Sequence, residues 1–459
     1  MLAAAALAAV LGAGAAAARD TPPPLGEPRP FALPAKEELR LANGLAVTLV
    51  PFGTVPKATV LVTVRTGNVA DGAKTGLADL VAGLLKEGAG ARDGAHVARA
   101  AADMGGALEV AAGPDQTSVT MDVLAERTSD ALRLVADVLR RPRLPAAQLA
   151  RLKADMARQT AIARSQPQAI AGEAFARLLW GDSVYGRTLP TDAQIASMTI
   201  DDVRQFVAAE FGAARTHVYI AGRFDRAAVV ATLRAALGDW AAGAAPRHAP
   251  PHGSRLRVVK LIDRPGAAQS TILLGLPVPT PASPGFMRLS VANALLGGSL
   301  LSRLDQNLRE DKGYTYGASS SITPLAGVAS WALATDVNAP QTAAALGEIF
   351  KELERLRSAA PPADELRMIQ NYRAGTFVLG ASSRPGLLGQ LAFIDQQGLT
   401  DDWLTHYVEH VYAVTPDEVR AAAAAALDPQ AMTLVVVGDL AQIKPGVLAL
   451  EALQGAEFR

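Results

Sequence analysis

The residues best suited to chemistry lie between Leu304 and Ser319, in the stretch LDQNLREDKGYTYGAS. Arginine offers a rigid fork of N–H donors and tyrosine a directed hydroxyl, a pair able to hold a peptide carbonyl or a carboxylate. Leucines at 295, 296, 300, 301, 304 and 308 mark one face of a helix, Lys312-Gly313 closes it, and Arg309 falls in its last turn. Past the glycine, Tyr314 and Tyr316 alternate as strand residues on one face, so either can bring its phenol beside the guanidinium.

A second constellation, His406-Tyr407-Val408-Glu409-His410, sets two imidazoles at i and i+4 with a glutamate between them. As a bare motif that is the spacing of a helical zinc site with its general base, and it defines an alternative reading as a metallohydrolase. Trp403, Tyr407 and Tyr412 argue for a helix packed by its aromatic face, with the histidines and Glu409 at its rim. The remaining histidines assemble no ligand set from spacing: His96 starts a helix, His217 opens a strand, and His248 and His252 sit among prolines. Gly297-Gly298-Ser299 precedes no phosphate-binding signature and reads as a packing turn.

Composition narrows the classes. The 459 residues are 50% hydrophobic and 19% charged, enough apolar material for more than one core. Lys plus Arg and Asp plus Glu stand at 44 each, so no bulk field recruits nucleic acid or an anionic membrane. The absence of cysteine excludes disulfides, thiolate nucleophiles and cysteine metal sites. The uncharged start MLAAAALAAVLGAGAAAA, followed by Arg19-Asp20 and TPPPLGEPRP, reads as a secretory signal and Pro-rich leader over residues 1–24. It is too short and too rich in alanine for a stable membrane span, and the expected location is the periplasm.

The elements that would carry these residues form an α+β pattern. Strands are predicted at Leu45 to Val50, Thr59 to Val64, Ala107 to Ala111 and Thr117 to Val123. Amphipathic helices are predicted over Thr75 to Glu87, capped by Thr75, over Ala95 to Met104 and over Arg127 to Leu139, with another after Pro145. Met198 to Phe224 aligns without a gap on Val414 to Leu440, and Pro145 to Leu149 matches Pro362 to Leu366 at nearly the same offset. Duplication follows, with an N-terminal half over 25–240, a linker over 241–254 and a C-terminal half over 255–459. Each half is expected to be a mostly antiparallel sheet flanked by helices, the two facing each other across a cleft.

With two related halves, the helix GLADLVAGLLKEG and the stretch SRLDQNLREDKGYTYG, the chain resembles the insulinase-like (pitrilysin) zinc peptidases. In that family a first helix carries His-x-x-Glu-His after Gly-Leu-Ala, and the second half carries S-x-L-x-x-x-L-R-x-x-x-G-x-x-Y. Ser302, Leu304, Leu308, Arg309, Gly313 and Tyr316 match the latter, and the family spacing prefers Tyr316 over Tyr314. The former is degenerate: the histidine positions hold Asp79 and Gly83, the glutamate position Ala82. The third ligand, a downstream glutamate, has no counterpart, since no glutamate occurs between Arg127 and Gly172 and Asp155 is the one carboxylate on that helix. By the repeat register the His406 motif falls against residues 190–194, away from the degenerate helix. The glycines at 297 and 298 can equally form a flexible loop over the cleft, as in some non-catalytic members.

The resemblance therefore implies a non-catalytic subunit of a heterodimeric zinc-dependent peptidase, with no metal in this chain and zinc in a homologous partner. It would bind unfolded peptide and supply Arg309 and Tyr316 to a site that the partner completes. The alternative within the same fold is a catalytically dead structural or peptide-holding protein.

Overall fold

The computed structural model describes residues 31–246 and 249–459; the leader at 1–24 and His248 lie outside the described residues. In chain order the first half runs β1 (Glu37–Arg40), β2 (Ala46–Pro51), β3 (Lys57–Val64), α1 (Leu77–Leu85), a small hairpin of β4 (Gly88–Ala89) and β5 (Arg92–Asp93), then α2 (Gly94–Asp103). It continues through β6 (Glu109–Ala112), β7 (Thr117–Leu124), α3 (Thr128–Arg140), α4 (Ala146–Ser165), α5 (Pro167–Trp180), α6 (Asp192–Ser197), α7 (Ile200–Glu210), β8 (Thr216–Gly222) and α8 (Arg226–Leu237).

The second half repeats that order. It comprises β9 (Val258–Asp263), β10 (Gln269–Val278), α9 (Phe286–Leu296), α10 (Arg303–Asp305), β11 (Thr315–Leu325), β12 (Val328–Asn338), α11 (Thr342–Ser358) and α12 (Ala363–Ala381). There follow α13 (Arg384–Gln396), α14 (Asp401–Thr405), α15 (Tyr407–Ala413), α16 (Pro416–Ala426), β13 (Thr433–Gly438), α17 (Leu440–Leu448) and β14 (Glu457–Phe458).

The sheets are ordered β1-β2-β8-β3-β7-β6 and, read from the matching edge, β14-β9-β13-β10-β12-β11. Five strands correspond one to one, and in each sheet β2 with β8, or β9 with β13, forms a parallel pair within an otherwise antiparallel core. Only the outermost strand differs: β1 runs antiparallel to β2, while β14 runs parallel to β9. The repeat extends to chemistry. Thr199 and Asp202 make a capping box at α7, and Thr415 and Glu418 make the same box 216 residues later at α16. Pro145 and Pro362 are the N-cap residues of the two long helices α4 and α12.

Alternation along the strands sorts the two faces. Val60, Val62 and Val64 of β3 pack in a core with Leu80 and Leu84 of α1, Leu132 and Val135 of α3, Phe206 of α7 and Leu233 of α8. In the second sheet Leu274 and Leu276 pack likewise with residues of α9, α11, α16 and α17.

The opposite face of each sheet is covered by a helix from the other half. Ala171, Phe175, Leu179 and Trp180 of α5 bury themselves on Val435 and Val437 of the second sheet. Leu387, Leu388 and Leu391 of α13 join a cluster with Tyr219 and Ala221 of the first. Withdrawing each of these leucine, valine and phenylalanine side chains from water contributes about 1.5–3 kcal/mol.

Polar contacts anchor both ends of α13. At its start, Arg384 donates to Thr59 at 3.3 Å and Asp122 at 3.0 Å, and Asp122 also pairs with Lys57. At its end, Asp395 accepts from Arg65 at 2.9 Å and from the Tyr219 hydroxyl at 3.0 Å, and lies 3.3 Å from His217 Nδ1.

Two local expectations change. Thr75 does not cap α1; the N-cap is Gly76 at φ 87°, a left-handed conformation that suits glycine. Asp71 does the capping from upstream, accepting the Gly76 and Ala78 N–H groups at 2.7 Å each. The leucine run from 295 to 308 is not one helix either. Helix α9 stops at Gly297, and Leu300 and Leu301 face solvent in the turn that follows, 76% and 52% exposed. Gly297 and Gly298 do form a packing turn, since a Cβ on either would come within 2.6 Å of Ser320 or Asn293.

Burial pushes the Asp395 carboxyl up, but its hydrogen bond to His217 and the charges of Arg65 and His217 outweigh that, so its pKa lies below the usual carboxylate range. A depressed carboxylate stabilises the fold fully above its unfolded pKa of about 4 and loses that contribution as pH falls below it. Asp395→Asn should therefore cost about 2 kcal/mol near neutral pH, with a smaller difference from wild type in strong acid, as read by denaturant titration. A cost independent of pH would contradict the charged anchor.

Candidate functional site

Helix α10 is a single turn that runs directly into a π-helical turn, Gln306–Asp311, a geometry enriched at functional sites. Its inner side is fixed by Leu304 and Leu308, both fully buried. Arg303 makes a bidentate pair with Glu365 of α12, at 2.7 and 2.8 Å, and Asn307 donates to Glu348 and Glu352 of α11. The turn is closed as the sequence suggests. Gly313 sits at φ 63° and its N–H bonds the Arg309 carbonyl at 3.1 Å, the αL closing motif, while the Tyr314 N–H reaches back to the Leu308 carbonyl at 2.8 Å.

On the outer side of this braced turn stands Arg309. The buried Asp305 carboxylate orients it at 3.4 Å and with its other oxygen accepts the Ala318 N–H at 3.4 Å, tying helix to strand. Glu310 lies 3.3 Å from Arg309 Nε. The guanidinium carbon lies 5.6 Å from the centre of the Tyr316 ring, a cation–π contact, and Tyr316 itself is 92% exposed.

The two tyrosines do not share a face. Between Thr315 and Ala318 the pairing of β11 with β12 slips, and this bulge turns Tyr316 outward while Tyr314 packs against the core. Arg309 and Tyr316 thus meet at the start of β11, an edge strand of the second sheet.

In the first half a cleft of about 550 Å³ lies between α1, the edge strand β6 and α4. Asp79, Ala82 and Gly83 line it, so the structure brings all three degenerate positions to one wall. They do not fit a zinc ion. Ala82 and Gly83 offer no donor, and a Cβ at Gly83 would meet the methyl groups of Leu152 at 3.4 Å. Asp155, across the cleft, is engaged by Arg151 at 3.2 Å and Arg158 at 2.9 Å. Among the described residues no group of three or more His, Asp or Glu side chains could hold a metal ion.

Sequence reasoning missed a carboxylate pair at this wall. Asn68 donates to Asp79 at 2.8 Å and to Asp71 at 3.3 Å, bridging the two acids. Burial raises the Asp71 carboxyl to about 6, against its hydrogen bonds to Ala78, Gly76 and Asn68 and helped by the Asp79 charge. Crowding by protein at the cleft mouth also raises Asp79, although water reaches it. The missed signal is an acid five residues ahead of a glycine N-cap.

The His406 motif does not form one helix. The chain breaks at His406, between α14 and α15, where Nδ1 is held by Asp402, and the His406 and His410 rings lie 6.0 Å apart on the surface. Trp403 and Tyr407 pack at 5.2 Å, and Tyr407 stacks on Phe377 at 4.1 Å, the aromatic face expected.

Another suggestive line also fails as a catalytic site. His217 Nε2 is 2.8 Å from the Thr48 hydroxyl and Nδ1 faces Asp395, the order of a hydroxyl–imidazole–carboxylate relay. Thr48 is 2% exposed within a central strand, so no substrate can reach it, and the group serves to dock α13.

Known proteins agree with this picture. Residues 50–192 match the family model described as insulinase (peptidase family M16), and residues 197–372 the one described as peptidase M16 inactive domain. An uncharacterized zinc protease of Mycobacterium leprae (strain TN) is 25% identical over 389 residues, covering 83% of this chain and 87% of that protein. One from Mycobacterium tuberculosis (strain ATCC 25618 / H37Rv) is 28% identical over 409 residues, 86% and 91% of the two chains. Among solved structures, a peptidase M16 inactive domain from Pseudomonas fluorescens superposes with a TM-score of 0.81 at 23% identity, covering 88% of this chain and 98% of that one. A protease from Helicobacter pylori gives 0.82 at 18% identity, covering 89% and 100%. At these identities the two structures speak for the fold.

Because the Asp71 pKa is raised, its contribution to stability is complete below about 4, where the unfolded chain would also be protonated, and declines as pH rises through about 6. Asp79→Asn removes the neighbouring like charge and should move the Asp71 titration to lower pH, measured by carboxyl NMR. An unchanged titration would show that the two acids are not coupled.

Proposed function

Because the chain belongs to the insulinase-like M16 peptidases and lacks the zinc-binding residues of that family, we propose that it is the non-catalytic, substrate-gripping subunit of a zinc-dependent peptidase. A homologous partner with an intact His-x-x-Glu-His helix would supply the metal. The observation that carries this reading is the Arg309–Tyr316 pair. A tyrosine is kept almost wholly in solvent beneath an arginine whose helix is braced by two sets of buried polar contacts. A merely structural arginine and tyrosine would be expected to bury the ring and saturate the guanidinium.

The chemistry follows from the donors. An extended peptide laid along the start of β11 would meet the open side of the guanidinium and the phenol, both held in place before it arrives. Arg309 has only the loose contacts to Asp305 and Glu310 to give up. Fixed donors aimed at a peptide carbonyl orient it and stabilise negative charge that develops on its oxygen, without reorganisation during the reaction. Asp305 acts as a positioning residue, holding both Arg309 and the β11 backbone.

The alanine-rich leader supports placing this assembly in the periplasm, and among the described residues no helix is long and apolar enough to cross a membrane.

The purified chain should cleave no peptide by itself, and mixing with the zinc-bearing partner should give chelator-sensitive hydrolysis. In the mixed enzyme Arg309→Ala should cost about 2–4 kcal/mol of transition-state stabilisation in kcat/KM, the size of one lost oxyanion donor. Hydrolysis at an unaltered rate would reject the clamp and favour a peptide-holding role without catalytic partnership.

A further inference from the structure

Duplication gives the second half its own counterpart of the α1 cleft. Helix α9 opens on Gly285 at φ 85°, as α1 opens on Gly76 at φ 87°, and α9, β11 and α12 enclose a pocket as α1, β6 and α4 do. This second pocket, about 410 Å³, is within the usual range of ligand sites. Its walls are aromatic: Phe286, Phe393, Trp403 and Tyr407 line it, together with Arg373 and Gln390.

Arg373 is the unusual member. Its Nη2 donates to the hydroxyls of Ser290, at 2.7 Å, and Tyr407, and its guanidinium carbon lies 5.9 Å from the Tyr407 ring centre. No described carboxylate lies within ion-pair distance of it, whereas Arg303, Arg288 and Arg384 around the same helices each have one. Its Nε is buried with no hydrogen-bond partner, and so is Oε1 of Gln390. An uncompensated cation and two orphaned polar atoms beside an apolar pocket are costly unless something arrives to use them.

We propose that this pocket binds the C-terminal residue of a peptide bearing an aromatic or large aliphatic side chain. The free carboxylate neutralises Arg373, the residue's amide N–H turns toward Gln390, and the side chain lies among the rings. This site is separate from the Arg309–Tyr316 clamp and requires no partner subunit. It rests on the peptide reading only for the source of its ligand.

Calorimetry on the full chain alone provides the test, with N-acetyl-L-phenylalanine as the probe. Binding is expected, with N-acetyl-L-phenylalaninamide, which lacks the charge, and N-acetylglycine, which lacks the ring, each weaker by about tenfold or more. Arg373→Gln should abolish the preference for acid over amide. Because Arg373 also holds Ser290 and Tyr407, a second variant guards against misfolding: Thr376→Trp, at an exposed position on the pocket wall, should block binding while circular dichroism remains native. Equal binding of acid and amide, no binding of the acid, or undiminished binding by Thr376→Trp would each overturn the proposal. None of these outcomes bears on hydrolysis by the mixed enzyme, so the two readings fail separately.

Discussion

Neither sheet can bury both of its faces with helices from its own half. The inner face of each is closed by a helix that follows the long helix of the other half, α5 on the second sheet and α13 on the first. This reciprocal loan packs the two halves into one compact unit over residues 31–459. The apolar side chains supply most of the driving force, and the anchors at Arg384 and Asp395 set the register in which α13 lies. The Arg309 turn inherits that rigidity, being strapped to α11 and α12 by Asn307 and Arg303.

The two halves have specialised on one template. In the first, the three positions that would hold a metal carry an aspartate, an alanine and a glycine against which Leu152 is packed, which removes the donor set while the cleft remains. In the second, a π-turn and a bulge combine to lift one arginine and one tyrosine clear of the surface. Both distortions depart from regular structure in a region whose neighbours are otherwise conventionally packed.

Much of this was legible in the sequence, for physical reasons. The α+β class follows from alternating strand patterns beside amphipathic helices, and the duplication from the gapless match of Met198 to Phe224 on Val414 to Leu440, which the structure shows as the same helix start, with Thr199 and Asp202 capping one copy and Thr415 and Glu418 the other. The helix break at Gly313 could be read from the glycine. What could not be read depends on contacts distant in the chain. The exchange of α5 and α13 leaves no local mark, because a helix packed on another half's sheet has the same apolar stripe as one packed on its own. Tyr314 and Tyr316 were expected on one face because strict alternation was assumed, and the bulge that separates them is set by pairing with β12. Asp71, five residues before the α1 glycine cap, escaped notice because capping is sought at the adjacent residue. The same applies to the exposed turn at Leu300 and Leu301, whose leucines continue a helical period that the backbone abandons at Gly297.

The central claim is a division of labour in which this chain keeps the grip and another chain holds the metal. Zinc stoichiometry tests it most directly, measured by elemental analysis on the isolated chain and on its complex with the zinc-bearing homologue. The account predicts no bound zinc in the isolated chain and one ion per pair in the complex. Stoichiometric zinc retained by the isolated chain would contradict it.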